Sequence, residues 1–141
     1  MKIVAASSAL LLVGLLSHAP SVAAQGSSPT LDYETFKTKV QPVFVTKRPG
    51  HARCVACHTS GTPLRLQPLA KWGTTWTEED SKKNFAAVTQ RVAFAGNPKS
   101  PLLLHPLEET AGGYFYHSGG KHWTSQNDAE WQMLRSWIMG K

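Results

Sequence analysis

The chain has 141 residues and carries 15 lysines and arginines against 9 aspartates and glutamates, a formal charge of +6. That length leaves room for one domain and argues against a second. The basic residues are scattered and accompany no nucleic-acid motif, so the charge points to a solvated surface able to steer an acidic protein partner rather than to nucleic acid.

The amino terminus opens with Lys2, an apolar run from Ile3 to Leu16, and the small residues Val22-Ala23-Ala24 before Gln25. This is the three-part layout of a secretory signal peptide, with cleavage expected after Ala24. The apolar run of 14 residues falls short of the roughly 20 needed to span a bilayer. Residues 1–24 therefore read as a leader and residues 25–141 as a single domain without a transmembrane segment, located in the periplasm or otherwise exported. Cleavage would remove only Lys2 among the charged residues, taking the net charge from +6 to +5.

In Thr30 to Phe44, the residues Tyr33, Phe36, Val40, Val43 and Phe44 recur at spacings of three and four, one apolar stripe on a helix. Thr30 is placed to cap it. Pro42 should end or kink it, because proline removes a donor and clashes with the preceding turn. Thr46 to Arg53, with Pro49 and Gly50, reads as a loop in which His51 is solvated.

Next comes Cys54-Val55-Ala56-Cys57-His58. Cys-x-x-Cys-His is the covalent attachment signature of a c-type haem: each thiol adds across one haem vinyl group, and two intervening residues let the sulfurs reach two neighbouring vinyls. His58 then falls beneath the iron as the proximal axial ligand. A zinc site would need further ligands, and the chain has only these two cysteines. A thioredoxin-type dithiol would follow a strand, and no strand-rich segment precedes Cys54. Haem attachment of this kind takes place outside the bacterial cytoplasmic membrane, so leader and motif support each other. A ligating histidine usually donates its second ring nitrogen to a carbonyl or carboxylate, and a carbonyl near Pro63 or Pro68 is the candidate.

The run Gly61 to Pro68 should wrap as a loop, and Arg65, Trp72 and Trp76 are candidates to meet the haem propionates. Thr77-Glu78-Glu79-Asp80 resembles a capping box and starts a helix with Phe85, Val88 and Val92 on its inner face, stopped by Gly96-Asn97-Pro98. Ser100-Pro101 opens a short turn through Leu104. Ala111 to Trp123 mixes glycines with aromatic residues and histidines, a composition that lets backbone approach a flat ligand, and is expected on its distal face. Ser125 and Asp128 form a second capping pair before a closing helix lined by Trp131, Leu134 and Ile138.

The opening helix, the Cys54–His58 motif and the terminal Glu130-Trp131-Gln132-Met133-Leu134-Arg135-Ser136-Trp137-Ile138 together resemble a class I c-type cytochrome. Ser100-Pro101-Leu102-Leu103 and the His-x-Gly-Gly stretch at His117 to Gly120 are similar to the small monohaem cytochrome domains of planctomycetes and acidobacteria. The resemblance implies an all-α fold with the amino- and carboxy-terminal helices packed around one covalent haem, and electron transfer as the role. The usual distal methionine is missing from the loop before the last helix. The candidates for the sixth ligand are His51, His105, His117, His122, Met133 and Met139, with His117 favoured on its His-x-Gly-Gly position and His122 and His105 as alternatives. Two histidine ligands imply a lower potential than histidine with methionine.

The expected function is one-electron transfer between redox partner proteins, with no catalytic residues. Two alternatives remain open. An open distal position would make a haem enzyme or gas sensor, with His122 as acid/base and Arg65 or Arg91 as the distal arginine. A third reading is the haem subunit of a larger respiratory or dehydrogenase complex, with the tryptophans and Tyr114-Phe115-Tyr116 furnishing an interface.

Overall fold

The computed structural model describes residues 29–141, so the expected leader and its cleavage point lie outside the described residues. Within them the regular structure is helical, and the one β interaction is an isolated bridge between Leu107 and Trp123. No helix among the described residues is long and apolar enough to cross a membrane.

The opening helix runs through three joined segments: α1 (Tyr33–Thr35), a π-helical stretch (Phe36–Val40) and α2 (Gln41–Val45). Its cap is Asp32, whose carboxylate accepts from the Thr35 amide, rather than Thr30. Nor does Pro42 end it. The wider π turn closes with the Gln41 amide donating five residues back to the Phe36 carbonyl, and Pro42 follows in the first turn of α2, where a missing N–H costs little. The register shift thus absorbs the proline, and the apolar stripe continues with Phe36, Val40, Val43 and Phe44 all buried.

The helix α3 (Cys54–Cys57) is a single turn, and Gly61 to Pro68 follows as an irregular wrap whose Leu64 and Leu66 are buried. The helix α4 (Glu78–Arg91) starts as expected: the Thr77 hydroxyl accepts from the Asp80 amide at 3.1 Å and donates to the Asp80 carboxylate at 3.0 Å. In α5 (Pro101–Leu104) the preceding Ser100 does not cap with its side chain. It is fully buried, and its hydroxyl accepts from the Phe94 amide at 2.9 Å, closing the turn that ends α4. For α6 (Ala129–Ile138) the cap is Asp128 itself, which accepts from the Glu130 and Trp131 amides. Ser125 serves only the Asn127 amide, because the helix begins after Asp128.

The first and last helices meet. Phe36 and Trp137 rings lie 5.8 Å apart, and the Trp137 indole donates to the Asp32 carbonyl at 2.9 Å. A second indole, Trp131, donates to the Leu103 carbonyl at 3.1 Å and fixes α6 to α5. Buried indoles carry a large apolar area and one donor, so each both fills the core and sets an angle. The resulting core leaves α3 on one side and the Tyr114–His122 loop on another, with a cavity between them.

Candidate functional site

The cavity has a volume of about 460 Å³, within the range of small-molecule and cofactor sites. Cys54, Cys57, His58, His105, His117 and His122 all line it, so every residue singled out from the attachment motif and the favoured distal candidates converges there. Met133 and Met139 do not line it. Met133 packs half-buried against the core and Met139 caps the end of α6. His51 is also outside the lining, with its Nδ1 donating to the Pro49 carbonyl at 2.9 Å.

On the α3 side, one helical turn carries both thiols, and the His58 amide closes it on the Cys54 carbonyl at 2.9 Å. Neither cysteine is in a disulfide. Burial pushes the Cys54 thiol up, with the Arg48 guanidinium opposing. The backbone after His58 then returns: the Leu66 amide donates to the His58 carbonyl at 2.6 Å. That return delivers the Leu64 carbonyl to 3.3 Å from His58 Nδ1, with the Thr62 hydroxyl at 3.1 Å. A carbonyl can only accept, so Nδ1 carries the proton and Nε2 of the neutral ring keeps a bare lone pair. The acceptor is thus one residue after Pro63. Burial lowers the His58 pKa, against the Leu64 hydrogen bond, and favours that neutral ring.

On the other side His117 repeats the arrangement without a helix. Its Nδ1 donates to the Gly120 carbonyl at 2.8 Å while the Gly120 amide donates back to the His117 carbonyl at 2.9 Å. Gly120 has φ +82°, and a Cβ there would come within 3.0 Å of His51 Cδ2; a Cβ on Gly119 would come within 3.1 Å of His117 Cε1. The left-handed backbone at Gly120 therefore calls for glycine, while a side chain at Gly119 would press on the His117 ring. Burial lowers the His117 pKa, leaving a second neutral imidazole with a bare Nε2. The Lys121 ammonium ties the loop to the end of α5 by donating to the carbonyls of His105 (3.1 Å) and Tyr114.

The His58 and His117 ring centroids are 6.2 Å apart with an interplanar angle of 25°. Two imidazoles on opposite sides of one metal ion, with metal–nitrogen bonds of about 2.0–2.1 Å and a ring radius of about 1.2 Å, place their centroids roughly 6.4–6.6 Å apart. The His58–His117 spacing comes close to that, as does His117–His122 at 6.3 Å, and both thiols line the same cavity, so the residues gathered here suit a covalently attached, iron-bearing group.

The other histidines sit less freely. His105 Nδ1 donates to the Tyr116 carbonyl at 3.3 Å, and its ring meets the edge of Tyr114. The His122 ring lies 4.8 Å from that of His51, tilted by 40°, and its Nδ1 is buried without a hydrogen-bond partner. Burial, with Arg48, His51 and His117 adding, pushes its pKa down to about 4.

The expected propionate partners are not gathered at this cavity. Trp72 is 90% exposed, Trp76 is buried with its indole donating to the Gln67 carbonyl at 2.8 Å, and Arg65 lies just outside the lining. Arg53 and Arg91 line it instead. Arg53 adjoins the motif and was within reach of sequence reasoning; Arg91 enters only because α4 ends there, which no local pattern announces. Compared with known proteins, the chain matches no family model, no curated protein and no solved structure.

Proposed function

We propose that this chain is an exported cytochrome of the class I kind that carries one covalent haem c and transfers single electrons between redox proteins. The observation that carries the reading is the facing pair of His58 and His117 across a cavity that also holds both thiols of the Cys-x-x-Cys-His motif. Bound haem supplies an iron that gains and loses one electron. Every other part of the task falls to the chain. Cys54 and Cys57 would hold the group by thioether bonds, and His58 and His117 would each offer a bare Nε2 to its iron. The Leu64 and Gly120 carbonyls fix the two ring orientations and keep the proton on Nδ1. With both imidazoles bound, the iron would offer no coordination site to peroxide or a diatomic gas, and the chemistry would be confined to the electron. Two imidazole ligands favour a potential below that of a histidine–methionine pair.

The subunit reading draws on one observation: Tyr114, Phe115 and Tyr116 are 40%, 82% and 70% exposed beside the cavity. An aromatic run of that kind suits a lasting protein interface. Arg65 and Arg91, the two arginines open to a peroxidase reading, both border Thr62 and Pro63 of the loop that holds His58.

Potentiometric titration of the purified protein, paired with a peroxide-consumption assay, tests the proposal. A reversible one-electron wave without peroxide turnover is expected. Catalytic peroxide consumption at a rate set by haem content would overturn it. Elution from native extract as a free monomer, rather than in an assembly, would remove the subunit reading.

A further inference from the structure

The inner face of α4 is more polar than its apolar spacing suggests. Ser81, Asn84 and Val88 are buried there, while Phe85 is only partly covered. Gln41, Ser81, Asn84 and Ser100 are the buried polar side chains among the described residues. Ser100 closes the turn after α4, and the other three lie together. The Gln41 side-chain amide donates to the Ser81 hydroxyl at 3.1 Å, and Ser81 stands one turn before Asn84.

Burying an amide side chain in an apolar core costs stability unless it answers a buried partner. For Asn84 that partner is the Gln67 backbone amide, which donates to Oδ1 at 2.7 Å. Gln67 lies in the irregular wrap after His58, where neither helix nor strand offers its N–H an acceptor. The Nδ2 of Asn84 meets no acceptor of the chain, so the position gains from asparagine chiefly its oxygen. From just before α4 the Trp76 indole donates to the Gln67 carbonyl at 2.8 Å. Gln67 is thus held through both its amide and its carbonyl by side chains from outside the wrap.

The interactions that touch His58 are short-range, but they leave open where the wrap ends. Three residues before Gln67, the Leu64 carbonyl accepts from His58 Nδ1, and the Leu66 amide between them is bonded back to the His58 carbonyl. At 3.3 Å the Leu64 hydrogen bond lies just past the usual range of about 2.7–3.2 Å, so a small further displacement weakens it. The Thr62 hydroxyl donates to the same carbonyl, so the placing of Leu64 decides how much of that acceptor His58 receives.

We propose that Asn84 is a positioning residue for His58: with Trp76 it clamps Gln67, and the clamp sets how firmly the Leu64 carbonyl holds the Nδ1 proton. An acceptor on the second ring nitrogen raises the basicity of a ligating imidazole, and a more basic ligand favours oxidised iron, so the clamp lowers the potential. The effect on the potential rests on the proposed function; the hold on the proton does not.

The test compares the wild-type holoprotein with Asn84→Leu, which loses the acceptor, Asn84→Asp, which keeps an acceptor oxygen, and Ser100→Ala. Ser100 is the matched control, being equally buried and accepting from a backbone amide, that of Phe94, outside the His58 wrap. Solvent exchange of the His58 Nδ1 proton is followed by NMR in the reduced protein, and the reduction potential is measured in parallel. In Asn84→Leu the proton is expected to exchange about tenfold faster and the potential to rise, with a covalent, low-spin haem retained. Asn84→Asp should exchange near the wild-type rate, and Ser100→Ala should match the wild type in both readings. If Asn84→Leu does not fold, Trp76→Phe, which removes the donor to the Gln67 carbonyl and keeps an aromatic ring, is judged against Ser100→Ala in the same way. Exchange no faster than in Ser100→Ala overturns the clamp, and so does exchange in Asn84→Asp as fast as in Asn84→Leu. Faster exchange at an unchanged potential leaves the clamp standing and removes its effect on the iron. A wild-type chain without haem would sink the proposed function, while the exchange comparison, read on the chain itself, would still decide for or against the clamp.

Discussion

The two sides of the cavity reach the same end by different means. His58 is held by local structure: one helical turn sets its position, and eight residues of return loop bring both acceptors to its Nδ1. His117 has no helix beneath it. Its turn depends on the positive φ of Gly120, on a carbonyl three residues away, and on Lys121 bridging the loop to the end of α5. The His58 side is therefore built from short-range interactions that form wherever the motif folds. The His117 turn is itself local, but its place at the cavity depends on bonds from Tyr114, Lys121 and His122 to the carbonyls of Leu104, His105 and Pro106, so that side should loosen first.

The largest effect expected from this difference is on the short-range side. In Cys54→Ala/Cys57→Ala, covalent haem is lost altogether, read as absence of haem stain after denaturing electrophoresis. Pigment that survived denaturation in that variant would break the account of the α3 turn. Opening the other side should keep the pigment and change its ligation. For His117→Ala we expect a covalent haem that turns high-spin and binds carbon monoxide, whereas His105→Ala and His122→Ala stay low-spin. If His122→Ala opens the iron and His117→Ala does not, the distal assignment moves to His122.

Much of the His58 side was legible because its information lies within consecutive residues. The Cys54–His58 spacing and the wrap at Gly61 to Pro68 follow from motif and punctuation, which leave the His58 acceptor open between carbonyls near Pro63 and Pro68; the fold supplies Leu64, next to Pro63. The helices were legible for the same reason, through their apolar spacing and the Thr77 cap. What escaped reading was whatever distant partners decide. Ser100 looks like a cap in sequence, but its burial turns the hydroxyl to Phe94. Pro42 reads as a helix end, yet a π turn upstream moves the register past it. Trp72 and Trp76 look equivalent on paper; one is 90% exposed and the other buried. Arg91 reaches the cavity only through the way α4 is docked.

The core shared by both sides allows the comparison to be sharpened. Leu134 of α6 is fully buried, and Leu134→Ala should cost about 2–5 kcal/mol, measured by urea unfolding of the holoprotein. Because His117 depends on tertiary contacts, carbon monoxide reactivity in this variant should rise at urea concentrations below the main transition. Reactivity that rises only with global unfolding would show the two sides to be equally firm.

The smallest effect belongs to a site on neither face. Glu78 accepts from Tyr33 at 3.0 Å and from Lys37 at 2.5 Å, and the Lys37 hydrogen bond, then the Tyr33 one, holds its carboxyl below the ordinary value of 4.5. A depressed carboxyl pKa contributes stability above about pH 4.5 that is lost as pH falls through the folded value. Glu78→Gln should therefore lower stability slightly at neutral pH and flatten its decline below that pH, followed by thermal melts across the acid range. These exposed groups are solvent-screened, so the spectrum should not change; a shift in haem ligation would show that the opening helix reaches the site.

The most direct measurement is the optical spectrum of the purified wild-type protein, oxidised and dithionite-reduced, with and without carbon monoxide. The account predicts a covalently held, low-spin haem in both states that carbon monoxide leaves unchanged. A chain without haem, or a high-spin haem that shifts promptly on adding carbon monoxide, would contradict it.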